Sequence, residues 1–271
     1  MTQLRVSHRT TYSYEDPVVY GLQQLRLTPK ERAGQSIVNW KVDLEGAREE
    51  ARFEDHNSNT VVLTSLVEGV TEVVITVRGE VDATNDTGIV GNHGGHAPLW
   101  HFTRATPQTK ASKGIDALMK AFGKRTLTEV SAFHALSKLI AEQVTYETGV
   151  THARTTAESA IELGKGVCQD HAHIFIAALR SLGIPARYVS GYLMMNDRVD
   201  QEATHAWAEA WLHNLGWVGF DVSNGISPDS RYIRVATGLD YQDAAPIRGL
   251  HVGNASASAG ERMRVAIQVQ Q

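Results

Sequence analysis

From Gln3 to about Val81, apolar and polar side chains alternate in short runs: Leu4 to Tyr14, Gly21 to Thr28, Ser36 to Leu44, Thr60 to Leu66 and Glu72 to Glu80. A period of two places every second side chain on one face of a strand, and the Thr, Val and aromatic content of these runs suits a pleated surface. Turn-rich breaks separate the runs, so the pattern predicts an antiparallel β-sandwich. Asp55-His56-Asn57-Ser58-Asn59 reads as a hairpin connection, because these side chains bond local backbone and tolerate left-handed geometry. Between Asp82 and Thr109 the glycines at 88, 91, 94 and 95 and the prolines at 98 and 107 interrupt all periodicity. That break predicts an N-terminal domain over residues 1–105 and a second over 106–271, with Leu99, Trp100 and Phe102 packing where the two meet.

After Thr109 the period becomes helical. Ile115, Leu118, Met119 and Phe122 mark a short amphipathic helix, and Val130, Phe133, Leu136, Ile140 and Val144 mark a longer one opened by a capping box at Thr126 to Glu129. Thr155 to Glu158 is a second box, starting a brief helix through Ala160 and Leu163. Cys168, Ala172, Phe175, Leu179 and Leu182 form the next stripe, which Gly183-Ile184-Pro185 ends before a strand from Arg187 to Met195.

Period two then returns in Thr204 to Trp211 and in Gly216 to Val222. A three-residue loop, Leu212-His213-Asn214 with Asn214 left-handed, sets Trp211 against Leu215 and His205 directly against Asp221, 16 residues on. Trp207, Glu209, Trp211 and Trp217 share that face. Pro228 to Asp243 reads as a strand and loop, Asn254 to Glu261 as a flexible connection, and Met263 to Val269 as a strand with a partner in either domain.

Composition narrows the function classes. The 271 residues, 42% of them hydrophobic, suffice for a sizeable core, and a formal charge of −4 supplies no basic field for nucleic acid or an anionic membrane. Neither partner is expected. One cysteine excludes an intrachain disulfide, and the apolar runs are too short for a secretory segment or a membrane span, which makes a reducing cytoplasm the expectation. His93, His96 and His101 fall within nine residues, but they lie in a loop without a cysteine or an obvious fourth ligand, so no metal and no cofactor is expected.

The chemistry centres on that cysteine. Gly164 and Gly166 permit a tight approach just before Cys168, which the stripe places at the N-terminus of its helix. Unpaired N–H groups and the positive end of the helix dipole stabilise an anion there. A lone cysteine is most often a small core residue, yet with His205 to take its proton and Asp221 to fix the imidazole it becomes a working nucleophile. The backbone N–H of Cys168 is the natural oxyanion donor. Trp207, Trp211 and Trp217 are expected to wall a narrow apolar groove, which Tyr146 lines from upstream and His171 from one turn along the helix. Glu209 pairs with a buried cation or edges the cleft, Asp170 sits structurally in the first helical turn, and His173 is a core hydrogen-bonding group.

These residues resemble the bacterial transglutaminase-like proteins, relatives of papain-type cysteine proteases. The resemblance rests on Gly166 to Asp170, Ala172-His173, Arg180 to Tyr192, His205-Ala206-Trp207 and Gly216 to Asp221. Leu25 to Pro29, Tyr232 to Ala236 and Ala245 to Gly249 extend it over nearly the whole chain. It implies an α+β fold, in which an N-terminal β-sandwich precedes a papain-like core with the cysteine helix packed on an antiparallel sheet. It also implies Cys168 as nucleophile, His205 as base and Asp221 as orienter, and it suggests a functional association with ATP-grasp peptide ligases. The chain departs from the family at His171, where an aromatic residue is common, and at Val222-Ser223, where Pro-Thr is usual.

The resulting expectation is acyl transfer at an amide through a thioester, chiefly peptide or isopeptide hydrolysis. Amine-accepting transglutamination and a non-catalytic peptide-binding module are the alternatives.

Overall fold

The structure is a computed structural model and describes residues 2–123, 127–252 and 261–271. Six strands open the chain: β1 (Thr2–Tyr14), β2 (Tyr20–Thr28), β3 (Gln35–Glu45), β4 (Ala47–Glu54), β5 (Thr60–Leu66) and β6 (Glu72–Ala83). Five follow the alternation read from the sequence. The exception, β4, carries AREEARFE on a sheet edge with almost every side chain exposed, so no buried face imposes a pattern on it. Tyr12 and Val73 to Val77 on one sheet meet Leu25, Leu27, Val62 and Leu66 on the other to form the sandwich core. The 55–59 loop joins β4 to β5 with Ser58 left-handed at φ 58°.

Residues 82–109 are more than a linker. Strand β7 (Ile89–Gly91) joins the second lobe's sheet, and the 3-10 turn Leu99–Thr103 seats Phe102 against Trp217. Trp100, expected at the contact, is instead 65% exposed. The helices α1 (Lys113–Phe122) and α2 (Val130–Gln143) match the helical stripes. Thr126 lies outside the described residues. Next come β8 (Thr145–Tyr146), α3 (Ala157–Leu163), β9 (Lys165–Gly166) and α4 (Cys168–Ser181). The α3 cap is Thr156, one residue later than the predicted box, and accepts from the Ser159 N–H at 3.1 Å. Glu158 reaches back to α1, where its carboxylate accepts from Ser112, Gly114 and Ile115 N–H at 2.5, 2.8 and 3.1 Å.

The second sheet adds β10 (Ala186–Leu193), β12 (His205–Leu212), β13 (Gly216–Phe220) and β14 (Tyr232–Gly238), in the order β14-β10-β12-β13-β7, with the short β11 (Asp200–Gln201) in the β10–β12 connection. Ala206, Ala208, Ala210, Leu212, Val218 and Phe220 face α4, whose residues 170–180 are buried all round between this sheet and the other helices. After α5 (Tyr241–Ala244) the chain returns to the sandwich: β15 (Ile247–Val252) pairs with β2, and β16 (Glu261–Gln270) pairs with β1. Residues 254–260, read as a flexible connection, lie outside the described residues. The lobes therefore exchange strands across the 105/106 boundary. Leu4, Val6, Val81, Ile267 and Val269 pack against Tyr192, Ile233 and Val235 on the back of the second sheet, which joins the lobes through a shared core.

Candidate active site

Cys168 is the first residue of α4, so its N–H has no acceptor within the helix. Gly166 makes the entry possible, because a Cβ there would fall 2.7 Å from the Cβ of Asp170. With that space open, Asp170 folds back to accept from the Val167 N–H at 2.8 Å and from Thr151 Oγ1 at 2.7 Å. Burial raises the Asp170 carboxyl above its ordinary value, and these donors oppose the rise in part. Strands β8 and β9 pair in parallel and set Tyr146 beside Gly166, just upstream of the sulfur.

His205 Nε2 lies 2.5 Å from Asp221 Oδ2, and the imidazole shares the wall of one cleft with the Cys168 sulfur. Burial works to lower the His205 pKa, but the charges of Asp221 and Cys168 prevail and push it up to about 10. Burial likewise works to raise Asp221, and donors from His205, Asn224 and Tyr232 hold it below its ordinary value. Those donors are Asn224 Nδ2 at 2.7 Å and the Tyr232 hydroxyl at 2.8 Å, both to Oδ2, with the Asn224 N–H on Oδ1 at 3.2 Å. Sequence reasoning missed both residues. The only signals were an Asn-Gly turn and an alternating strand, neither of which points at a carboxylate.

The hairpin register differs from the one predicted. Trp211 faces Trp217 and Leu212 faces Gly216, because the loop is His213-Asn214-Leu215 and Gly216 takes the left-handed conformation at φ 78°. Continuing that register sets Asp221 beside Trp207, diagonal to His205. A two-residue slip keeps the side chains on one face, and a diagonal pair remains within reach of an imidazole and a carboxylate.

An open cleft of about 1120 Å3 runs past Cys168 and His205. Tyr146, Gln169 and Tyr241 line one part of it, and the 198–206 loop and Met263 to Ile267 of β16 line the other. The expected groove of indoles is overturned. The face shared by Trp207, Trp211 and Trp217 points away from α4, with Trp207 and Trp217 only 2% and 0% exposed. Trp207 instead flanks the His205 ring at 6.2 Å between centroids, and Trp217 lies under Arg187 at 4.0 Å. Glu209, on the same face, is clamped by Arg187 at 2.6 Å and Arg234 at 2.7 Å, so it pairs with buried cations and does not edge the cleft.

His171 is also buried rather than in the cleft. Its Nε2–H donates to the Val144 carbonyl and its Nδ1 accepts from Ser223 Oγ, each at 2.8 Å. Of the five residues expected to line the groove, Tyr146 alone lines the cleft. Gln169 donates to the His152 carbonyl at 3.3 Å, and His173 accepts from the Tyr241 N–H at 3.0 Å. His93 uses both ring nitrogens within the protein, on the Ala97 carbonyl and on Trp217 Nε1–H. Among the described residues no group of three or more His, Cys, Asp or Glu side chains is placed to hold a metal, and no helix is long and apolar enough to cross a membrane.

Comparison with known proteins agrees with this architecture. The sequence profile of the transglutaminase-like superfamily matches residues 116–222, and that of the bacterial transglutaminase-like N-terminal region matches residues 4–82. An uncharacterized Mycobacterium leprae protein is 30% identical over 266 residues, covering 93% of this chain and 94% of its own. A protein-glutamine gamma-glutamyltransferase of Pseudomonas aeruginosa is 34% identical over 82 residues, 28% of this chain and 12% of that one. The fold is shared with a Cytophaga hutchinsonii protein described as a cysteine protease candidate, at a TM-score of 0.75 and 22% identity over 99% of this chain and 97% of that one. With both profiles in sequence and a relative alike from end to end, the chain belongs to the bacterial transglutaminase-like family.

Proposed function

We propose that the protein is a thiol-dependent acyl transferase acting on amide bonds, with Cys168 as nucleophile, His205 as proton carrier and Asp221 as orienter. One observation carries this reading: an imidazole bonded to a buried carboxylate shares the wall of an open cleft with a sulfur at a helix N-terminus. His205 takes the proton of Cys168, and the sulfur becomes the nucleophile. The sulfur adds to the amide carbonyl carbon, and the Cys168 N–H faces the developing oxyanion. When the tetrahedral adduct collapses, the C–N bond breaks and His205 gives its proton to the leaving amine. A thioester remains. Water, deprotonated by the neutral imidazole, then adds to that carbonyl, the C–S bond breaks, and the sulfur regains its proton from His205 as the free acid leaves.

Hydrolysis is the preferred outcome, because water enters an open cleft without a dedicated site. Amine transfer has one observation in its favour, the short likeness to the Pseudomonas aeruginosa gamma-glutamyltransferase. The cleft's volume of about 1120 Å3 accommodates a peptide or isopeptide segment with its side chains. Mass spectrometry of peptides offered with a competing primary amine separates the two outcomes, since hydrolysis yields a free acid and transfer adds the amine's mass. Cys168→Ala is expected to abolish either product while leaving the fold intact, and activity retained by that variant rules the mechanism out.

A further inference from the structure

Behind the second sheet, on the face away from α4, lies an excess of buried positive charge. Arg187 and Arg234 share the one carboxylate of Glu209, and burial and these two arginines act together on Lys30 and Arg32 from the sandwich lobe. Asp55, the other carboxylate acting on Lys30, is paired with Arg26 at 3.2 Å. Three guanidinium groups, Arg32, Arg187 and Arg234, thus depend on the one carboxylate of Glu209, while burial and the charges of Arg234 and Arg187 lower Lys30 to about 7. Burial strongly disfavours such a surplus unless a further negative charge is present. Lys30 has a partial outlet, donating to the Asn57 carbonyl at 2.7 Å. Arg32 does not: its Nε and Nη1 are both buried, and no described residue accepts from either.

Beside these atoms is a small cavity lined by Arg32, Glu209, Asp229, Trp207 and Tyr232, with space for about one water-sized particle. Neither carboxylate on its wall is free for Arg32. Glu209 is held by Arg187 and Arg234, and Asp229 by the Arg231 guanidinium at 2.6 to 3.0 Å. We propose that this cavity is a binding site for one small monovalent anion of the halide class, held by an N–H of Arg32. The anion's charge offsets the surplus shared by the two lobes, so occupancy stabilises their packing. The cavity and the cleft have no lining residue in common.

Thermal unfolding of the full chain tests this, with sodium gluconate replaced by sodium chloride or bromide at constant ionic strength. A saturable rise in Tm of about 3 °C is expected at roughly tenfold excess over Kd, and it should vanish in Arg32→Gln. An unchanged Tm, or a rise that Arg32→Gln retains, overturns the proposal. If that variant does not fold, a bromide-soaked crystal decides: an anomalous peak beside Arg32 supports the site, and an empty map overturns it.

Discussion

His171 Nδ1 accepts a 2.8 Å hydrogen bond from Ser223 Oγ, linking the second turn of α4 to the loop that follows Asp221. The other ring nitrogen donates to the Val144 carbonyl, which fixes the tautomer and ties the start of the Tyr146 segment to the same helix. Replacing His171 by Phe leaves the Val144 carbonyl and the Ser223 hydroxyl without this partner. It is expected to cost about 1–3 kcal/mol in denaturant unfolding, against about 1 kcal/mol for Ser223→Ala. A double-mutant cycle with no coupling between the two positions would contradict the pairing.

Tyr232 acts on the proposed chemistry through Asp221. Its ring packs on Trp207 at 5.4 Å between centroids, and its hydroxyl shares Oδ2 with His205. Tyr232→Phe keeps the packing and removes one donor to a charged acceptor. A loss of about 1.5 kcal/mol of orientation corresponds to roughly a tenfold lower kcat. KM should stay unchanged because Tyr232 does not line the cleft. A variant in which KM rises and kcat holds would show that Tyr232 serves binding instead.

Glu209 neutralises part of the buried cation cluster. Glu209→Gln leaves Arg187 and Arg234, only 7% and 6% exposed, without a counter-charge. A destabilisation of about 3–5 kcal/mol is expected by urea unfolding. A loss below 1 kcal/mol would mean that solvent or an anion compensates both guanidinium groups.

Stability should fall on mild acidification. Burial lowers His8 to about 4, and burial with the nearby Arg180 charge lowers His173 to about 3. The folded state therefore binds fewer protons than the unfolded chain below the ordinary value near 6.5. Stability is full above that value and is lost as pH falls toward 4 and then 3, by up to about 1.4 kcal/mol per pH unit for each histidine. Unfolding free energies at pH 7, 5.5 and 4.5 check the slope. His8 is bonded to Tyr192 and Thr10 at 2.8 Å each, so His8→Gln is the variant that should flatten it.

The alternating runs and helical stripes were enough to locate β1, β2, β3, β5, β6 and α1 to α4, since side-chain period follows directly from backbone geometry; α5 fell in a stretch read as a strand and loop. Parity likewise put His205 and Asp221 on one face, and the glycine-flanked stripe put Cys168 at a helix start. Both readings survive a register slip of two residues. The register itself was not legible. It depended on Gly216, whose added Cβ would lie 2.1 Å from the Gly91 carbonyl, and hence on β7 closing against β13 from more than a hundred residues away.

Period reveals which side chains share a face, but not what that face meets. Trp207 and Trp217 alternate with the residues that pack on α4, and their face is core because Trp207 packs with Val189, Leu193 and Tyr232 and Trp217 with Ala97 and Phe102 of the 82–109 segment. The return of β16 to β1, which builds one wall of the cleft, was equally hidden, because a short amphipathic strand matches many sheet edges. Sequence thus determined most of the elements and the candidate reacting groups, whereas long-range packing determined the register, the cleft lining and the buried charge cluster. Those last features depend on contacts between segments whose local patterns do not encode one another.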